Sequence, residues 1–254
     1  MINQFFISLI VGIFVGGAAG YLGSLMLTKR MALVGDALGH VALPGIGIAI
    51  LLGLNLSLVA FLFLALGIIL IWALELKTSL PMEALVGVVF VISLAVGFLI
   101  IPGADLETAL IGDISQVSSI MAISAVILSS AAFLITNKIY SGLILSTISS
   151  DLAEVEGIKT KKYNLIYLFL IAVIVALGIR VTGSLLVGAL VIIPAATARN
   201  LSKNLRQYAF GSLLFGALSC IFGILLFKIT NLPAGPLIIL SSGFFFIISL
   251  LFKK

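Results

Sequence analysis

Long apolar blocks separated by short polar stretches run through the whole chain. Most blocks hold about twenty residues and are apolar on every side, without the charged face of an amphipathic helix. A helix of about twenty apolar residues is long enough to cross the hydrocarbon layer of a membrane. The pattern therefore predicts membrane-spanning helices near residues 4–27, 31–53, 55–76, 81–101, 117–137, 163–179, 182–198, 208–228 and 237–252.

The expected fold is an all-α polytopic membrane protein with eight or nine transmembrane helices, some of them broken. The number stays open because the two short blocks on either side of Arg180 are also compatible with a re-entrant element. The first block has no basic residues ahead of it and is too long for a signal-peptide core, so we expect a retained helix. With no second domain, low-complexity tract or clear repeat visible, residues 1–254 are expected to form one transmembrane domain.

Composition excludes a soluble domain. Of the 254 residues, 62% are hydrophobic and only 9% are charged. The single cysteine, Cys220, lies within an apolar block and excludes a disulfide framework or a thiolate metal cluster built from one chain.

The basic residues collect on one side of the predicted membrane. If the connection after the first helix is cytoplasmic, alternation through nine spans leaves only Arg180 and Lys228 of the 14 lysines and arginines outside. This asymmetry predicts a cytoplasmic C-terminus. The net charge of +5 is dispersed over separate loops, so the expected surroundings are a lipid bilayer and no nucleic acid.

One apolar block carries an aspartate and the only histidine. Counting from Arg30 at the predicted membrane surface, a rise of ~1.5 Å per residue puts Asp36 about 10 Å and His40 about 15 Å into the membrane. Four residues apart on a helix, both side chains project from one face. A charged carboxylate at that depth costs roughly 2.5–3.5 kcal/mol and needs a partner, an ion or water. Pro44 and several glycines in the same block are typical of a discontinuous helix that lines a cavity.

The pair has more than one interpretation. A carboxylate and an imidazole are ligands that suit zinc, manganese or iron(II), and two ligands make a weak site from which an ion can leave. A structural alternative is a buried hydrogen-bonded pair that holds helices together. A third is an ion-coupled secondary transporter or a channel, in which Asp36 and His40 relay protons or coordinate a coupling ion.

Three stretches carry a resemblance to a known family. They are LVGDALGHVALPGIGIAI at 33–50, VTGSLLVGALVIIPAATARN at 181–200 and NLPAGPLIIL at 231–240. In this order, over nearly the whole chain, they resemble the membrane permease subunits of zinc and manganese ABC importers. The resemblance implies that Asp36 and His40 meet the metal in the translocation path. Gly39 departs from the family pattern, in which serine or alanine is common, and a permease for a metal chelate is the nearest alternative in this class.

The polar stretch STISSDLAEVEGIKTKK at 146–162 is similar to the family's cytoplasmic coupling segment, a short helix that enters a groove of the ATPase subunit. We expect Ser150 or Asp151 to cap the start of this helix and Gly157 to close its end. A solvated loop with ordinary caps is the alternative. The resemblance assigns the coupling role to Asp151, Leu152, Ala153, Glu154, Val155, Glu156 and Gly157.

The connection at 102–115 gathers three of the nine acidic residues, Asp105, Glu107 and Asp113. On the outer side it would form a negative mouth that attracts cations and meets a basic rim on a partner. A solvated loop that happens to be acidic is the alternative. Gly112 and Asp113 match a motif of the family.

The chain has no phosphate-binding G-x-x-x-x-G-K-[ST] motif and no hydrolase motif, so we expect a transport subunit and no enzyme. The resemblance implies a separate cytoplasmic ATP-binding subunit, an extracytoplasmic metal-binding protein and a second permease copy as a homodimer. It also implies the cytoplasmic membrane of a prokaryote. The transported ion is cargo, and no permanently bound cofactor is expected. Zinc and manganese both accept carboxylate and imidazole, so the sequence does not choose between them.

Overall fold

The computed structural model describes residues 2–80, 82–101, 110–112, 114, 117–184 and 186–252, and within these ranges the regular structure is entirely helical. The helices are α1 Ile2–Thr28, α2 Ala32–Val41, α3 Leu43–Leu52, α4 Leu56–Lys77, α5 Met82–Ile100, α6 Ser119–Ile148, α7 Ser150–Val155, α8 Thr160–Thr182, α9 Val187–Leu201, α10 Leu205–Thr230 and α11 Ala234–Leu251.

Eight stretches of the described chain are long and apolar enough to cross a membrane, with α2 and α3 together forming one of them. The remaining apolar helix, α9, is shorter. The prediction of a polytopic helical membrane protein with eight or nine spans is therefore confirmed. The span predicted at 182–198 begins late, at Val187, because Gly183 takes a left-handed backbone with φ of 83° and turns the chain.

Helix α6 is longer than predicted. The expected span ended at residue 137, whereas the helix continues to Ile148 and holds 30 residues. Residues 138–148 contain no residue that ends a helix. Their one glycine, Gly142, lies beside the Tyr163 ring, and the other residues are compatible with a helix. At ~1.5 Å per residue it measures about 45 Å, so it is longer than the ~30 Å hydrocarbon layer is thick.

Helix α1 forms the centre of the bundle and packs against α6, α8, α9 and α10. Its crossing with α10 is made by small residues. A Cβ on Gly16 would lie 2.7 Å from the Gly216 carbonyl oxygen, and a Cβ on Gly20 would overlap the Ser212 carbonyl oxygen. Small residues at helix crossings let backbones approach closely, which is how membrane helices gain packing contacts without a hydrophobic driving force.

The two ends of the bundle are defined by contacts between distant parts of the chain. At one end, Lys29 Nζ donates to Asn164 Oδ1 at 2.7 Å and joins the end of α1 to the start of α8. At the other end, Lys228 Nζ lies 4.4 Å from the centre of the Phe5 ring, and Arg180 Nε donates to the Ser57 hydroxyl at 3.4 Å. This grouping agrees with the predicted alternation. That the first end is cytoplasmic stays a prediction.

Candidate functional site

The aspartate and histidine lie on α2, just before an interruption. α2 ends at Val41 and α3 begins at Leu43, and Ala42 between them keeps a right-handed backbone with φ of −73° and ψ of −21°. Pro44 explains the interruption, because it has no N–H to bond the carbonyl of His40 one turn earlier. The predicted discontinuity is thus confined to one residue, and it directly follows the candidate ligands.

Asp36 and His40 have different surroundings. Asp36 is exposed on the single chain, although the described residues around it, from Val34 to Gly47, are all buried. His40 is 7% exposed, and its ring meets the Phe90 ring edge to face with 5.1 Å between centres. His40 Nδ1 lies 3.1 Å from the backbone carbonyl oxygen of Asp36. Since a carbonyl can only accept, this hydrogen bond requires a proton on Nδ1, and in that neutral tautomer Nε2 has the lone pair that a metal needs.

The Asp36 carboxylate makes no hydrogen bond or ion pair within the described part of the chain, and His40 bonds the backbone of Asp36 and not its carboxylate. This geometry does not support the structural alternative of a mutually bonded pair. The described residues also contain no group of three or more histidine, cysteine, aspartate and glutamate side chains that could hold a metal. One chain therefore offers an oxygen and a nitrogen donor and leaves the coordination incomplete.

Glycines bring the first two motifs into contact. A Cβ on Gly188 would lie 2.5 Å from the Cα of Asp36, and a Cβ on Gly39 would overlap the Ser184 carbonyl oxygen. A Cβ on Gly39 would also lie 2.8 Å from Val187 Cγ1. Approaches below 3 Å to backbone leave no room for a methyl group, so Gly39, the departure from the family pattern, has a steric role in this chain.

The third motif joins the same set of contacts. A Cβ on Gly235, at the start of α11, would lie 2.7 Å from the Thr182 carbonyl oxygen and 2.8 Å from the Ile111 carbonyl oxygen. The three motifs therefore meet in the folded chain, although 130 residues separate the first from the second. Sequence reasoning found the motifs but missed their contacts, and the glycines placed in otherwise apolar helices were the only available signal.

The predicted coupling segment forms α7, which is followed by a tight turn. The predicted N-terminal cap, Ser150 or Asp151, is wrong, because both lie inside the helix and the Ser149 side chain accepts from Leu152 N at 3.2 Å. The continuation of α6 to Ile148 is the reason, since Ser149 is then the one residue left between two helices.

The predicted C-terminal closure by Gly157 agrees with the structure. Gly157 has φ of 72°, its N–H donates to the Glu154 carbonyl at 2.9 Å, and the Ile158 N–H donates to the Ala153 carbonyl at 2.9 Å. This pair of bonds is a Schellman closure, which satisfies the last carbonyls of the helix. Ala153 is buried, whereas Leu152 and Val155 are 49% and 84% exposed.

The predicted acidic mouth, Asp105, Glu107 and Asp113, lies outside the described residues. Gly112 beside it has φ of 74°, and a Cβ there would lie 2.5 Å from the Gly183 backbone nitrogen. This position therefore excludes any residue with a side chain, which is why the motif needs a glycine there.

Eight apolar spans in the described chain, with a carboxylate and an imidazole on the same interrupted helical segment, define a multi-pass membrane protein of the permease class. The chain belongs to the ABC 3 transport family, whose sequence model matches residues 1–253.

Named relatives agree with this assignment. The high-affinity zinc uptake system membrane protein ZnuB of Buchnera aphidicola is 32% identical over 260 residues, covering 100% of this chain and 99% of that protein. The manganese import system permease protein ScaB of Streptococcus parasanguinis is 29% identical over 246 residues, covering 95% and 88%. PsaBC from Streptococcus pneumoniae, solved in complex with Fab, matches with a TM-score of 0.84 and 27% identity, covering 98% and 95%. The resemblance and the prediction of a transport subunit are confirmed.

Proposed function

We propose that this chain is the membrane subunit of an ABC importer and passes a divalent transition metal, zinc or manganese, along a path in which Asp36 and His40 contact the ion. The observation that carries the proposal is the pair itself. A carboxylate that has no partner among the described residues and a ring nitrogen that can bind a metal lie four residues apart on one helix. Relatives named for zinc and for manganese uptake support this class of cargo.

The chemistry of the pair suits transit. The ion would exchange part of its hydration shell for one carboxylate oxygen and for His40 Nε2, which both zinc and manganese accept. The hydrogen bond from His40 Nδ1 to the Asp36 carbonyl fixes the ring orientation and the tautomer, in the manner of the outer contacts of metal-binding histidines. A set of two donors holds the ion weakly enough to release it.

We propose further that two copies of the chain share the path. Asp36 is the only exposed residue between Val34 and Gly47, so its side chain faces away from its own bundle. An ionised carboxylate that faces lipid costs roughly 2.5–3.5 kcal/mol. If a second copy is related by a two-fold axis, Asp36 instead faces a water-filled path and the Asp36 and His40 of that copy. The pairing would raise the donor set to two oxygens and two nitrogens, close to what a transition metal requires.

Helix α7 is the proposed contact for a separate ATP-binding subunit. It projects from the end of α6, exposes Leu152 and Val155, and carries Asp151, Glu154 and Glu156 at its surface. Exposed apolar side chains surrounded by acidic residues are typical of an interface with an apolar centre and a charged rim, and they favour a partner groove with a basic rim.

The remaining parts of the proposal concern the surroundings. The chain is placed in the cytoplasmic membrane of a prokaryote, and residues 1–254 act as one transmembrane domain. A metal-binding protein delivers the ion on the outer side, where Asp105, Glu107 and Asp113 supply a negative mouth.

Metal uptake by Asp36→Asn and His40→Gln variants tests the role of the pair. We expect each variant to insert and assemble normally and to lose at least about tenfold of its uptake, since each removes one of few donors. Glu75→Gln is the matched control, because it removes a carboxylate from another spanning helix and should keep uptake near the wild-type level. Normal uptake by both pair variants would contradict the proposal.

Two measurements distinguish the proposed importer from a chelate permease and from a secondary transporter. A chelate permease would tolerate loss of both side chains, because the chelator already occupies the metal's ligand positions. A secondary transporter would import metal in vesicles that lack the ATP-binding subunit, driven by an ion gradient. We expect neither result.

A further inference from the structure

A basic pocket of about 510 Å³ lies where α1 ends and α10 begins. Its lining comes from the turn after α1, the last turn of α9 and the residues that lead into α10, and no carboxylate takes part. Three cationic side chains converge there. They are Arg30, Arg199 and Lys203.

These cations are not neutralised by the protein. None of the three side chains forms an ion pair within the described residues, and all three residues are exposed. Arg30 has a left-handed backbone with φ of 59°, a conformation that residues with a side chain rarely adopt. The start of α10, with Asn204 as its cap, adds the positive end of a 26-residue helix. The pocket therefore has an uncompensated positive potential.

The inner wall of the pocket offers a further donor. The Tyr208 hydroxyl is buried, and its nearest polar neighbour among the described residues is the Thr28 hydroxyl. The Thr28 hydroxyl nearby already donates to the Ser24 carbonyl at 2.7 Å. Thr28 Oγ1 can still accept from Tyr208, so these two hydroxyls form a polar inner wall of the pocket.

The pocket lies at the membrane boundary. Thr28 is the last residue of the first span, and Leu205 is the first residue of the span formed by α10. Leu205 also lines a neighbouring groove of about 730 Å³ between α6 and α10. The groove is lined by apolar side chains, among them Ile148 and Phe210, which are 76% and 43% exposed on the single chain. Polar groups of Asn137, Ser141 and Arg206 complete its lining. The basic pocket thus adjoins a largely apolar groove at the end of two spans.

We propose that this pocket binds the phosphate of an anionic phospholipid, with an acyl chain in the groove between α6 and α10. The three cations and the helix start bind the phosphate, and Ile148 and Phe210 contact the chain. Basic pockets between membrane helices are suited to such headgroups. A free phosphate would use the pocket but not the groove, and a zwitterionic lipid would use the groove but gain little from the cations.

Retention of lipid by the purified full-length chain, measured by native mass spectrometry, tests the proposal. Phosphatidylglycerol and phosphatidylcholine with identical acyl chains are offered in equal amounts. We expect phosphatidylglycerol to be retained at least about tenfold better, given the contribution of each basic residue near a lipid surface. Equal retention of the two lipids would overturn the proposal.

Two matched triple variants locate the site. Arg30→Gln, Arg199→Gln and Lys203→Gln together should reduce the preference to below about twofold. Lys159→Gln, Lys161→Gln and Lys162→Gln remove the same charge at the same end of the bundle but outside the pocket, and should leave it unchanged. Equal loss in both variants would assign the preference to overall charge and refute the site. If the first triple variant does not assemble, the single Arg199→Gln variant should still lower the preference by about threefold to fivefold, and an unchanged value would refute the site as well.

Two further measurements separate a lipid from a free anion. Phe210→Ser should weaken phosphatidylglycerol retention without changing any charge, because it removes an apolar wall of the groove. Soluble glycerol 3-phosphate at the concentration of the lipid should displace little of it. Complete displacement would mean that the pocket takes a soluble anion. Full retention by the Phe210→Ser variant would mean that the groove holds no acyl chain, and either result would contradict the proposal.

Discussion

Two short helical segments end in the same way and differ in everything around them. The intramembrane segment, α2 with α3, closes at Gly53 with φ of 63°, and the Leu54 N–H donates to the Ala49 carbonyl at 2.9 Å. The coupling segment, residues 149–158, closes at Gly157 with φ of 72° and the same pattern of bonds. The first is buried over most of its length, whereas the second exposes every residue of its helix except Ala153.

The two segments are therefore constrained in different ways, one by close packing and the other by its caps. The intramembrane segment is held by backbone contacts, at Gly39 and Gly188, that leave no space for a methyl group. The coupling segment has a cap at each end and few neighbours, so its surface side chains are free for a partner. Steric changes should therefore damage the first segment most, and changes of charge or backbone conformation should damage the second.

The largest effect is expected from Gly188→Ala. Its Cβ would lie 2.5 Å from the Cα of Asp36, so α2 and α9 must move apart. Overpacking of this kind costs roughly 1–3 kcal/mol or more, and it displaces the carboxylate that we assign to the metal path. We expect a lower thermal unfolding midpoint and almost complete loss of metal uptake.

Gly243→Ala is the matched control for that change. Gly243 also lies within a spanning helix, but a Cβ there meets nothing within 4 Å. Its unfolding midpoint should stay near that of the wild type, because a helical Gly→Ala change without a clash alters stability by less than about 1 kcal/mol. Equal behaviour of the two variants would show that the close approach at Asp36 is unimportant.

The second effect concerns the coupling segment. Glu154→Lys reverses an exposed charge on α7 and should reduce association with the ATP-binding subunit by about tenfold or more, since like charges would face each other. Metal binding by the isolated permease should not change. Association is measured by co-purification and by surface plasmon resonance with the permease in nanodiscs.

Glu83→Lys provides the comparison, because it reverses an exposed acid outside the coupling segment, in the first turn of α5. We expect nearly wild-type association for this variant. If Glu154→Lys behaves in the same way, α7 is not the contact with the ATP-binding subunit.

Local features of both segments could be predicted from sequence. Gly157 follows a short polar run that favours a helix, and a glycine at such an end is a strong signal for left-handed closure. The spans could be predicted because a run of about twenty apolar residues is typical of a membrane-spanning helix and rare in other structures. The cap was misplaced by one or two residues, since no local signal stops α6 at residue 137 and the end of one helix fixes the start of the next.

Contacts between distant residues could not be predicted. Many glycines occur in the chain, and nothing in a single sequence indicates that Gly188 rather than another one meets Asp36. Arg30, Arg199 and Lys203 likewise belong to two different connections and a helix end, and positive charge there is expected from orientation alone. Their convergence around one pocket depends on how α1, α9 and α10 pack.

The third effect tests whether the intramembrane segment works alone or in pairs. In complexes that contain one wild-type and one His40→Ala copy, a shared path should retain less than about a fifth of wild-type uptake, because the single site loses one of its nitrogen donors. Independent paths should retain about half, as each copy then contributes separately. Differently tagged copies purified in sequence give the mixed complex, and uptake in vesicles gives the result.

The smallest effect comes from the two closing glycines, and it compares the segments directly. Gly157→Ala and Gly53→Ala each place a side chain in a left-handed backbone at roughly 1–2 kcal/mol, and a Cβ at either position meets nothing within 4 Å. The local strain is therefore the same in both variants, and only its location differs. Gly157→Ala should lower affinity for the ATP-binding subunit by about twofold to fivefold, because part of the binding energy must restore the end of α7. Gly53→Ala should leave that affinity unchanged, since α3 ends at the opposite face of the bundle. A similar loss of affinity in both variants would mean that the effect arises from general destabilisation, and the special role of the turn at Gly157 would have to be abandoned.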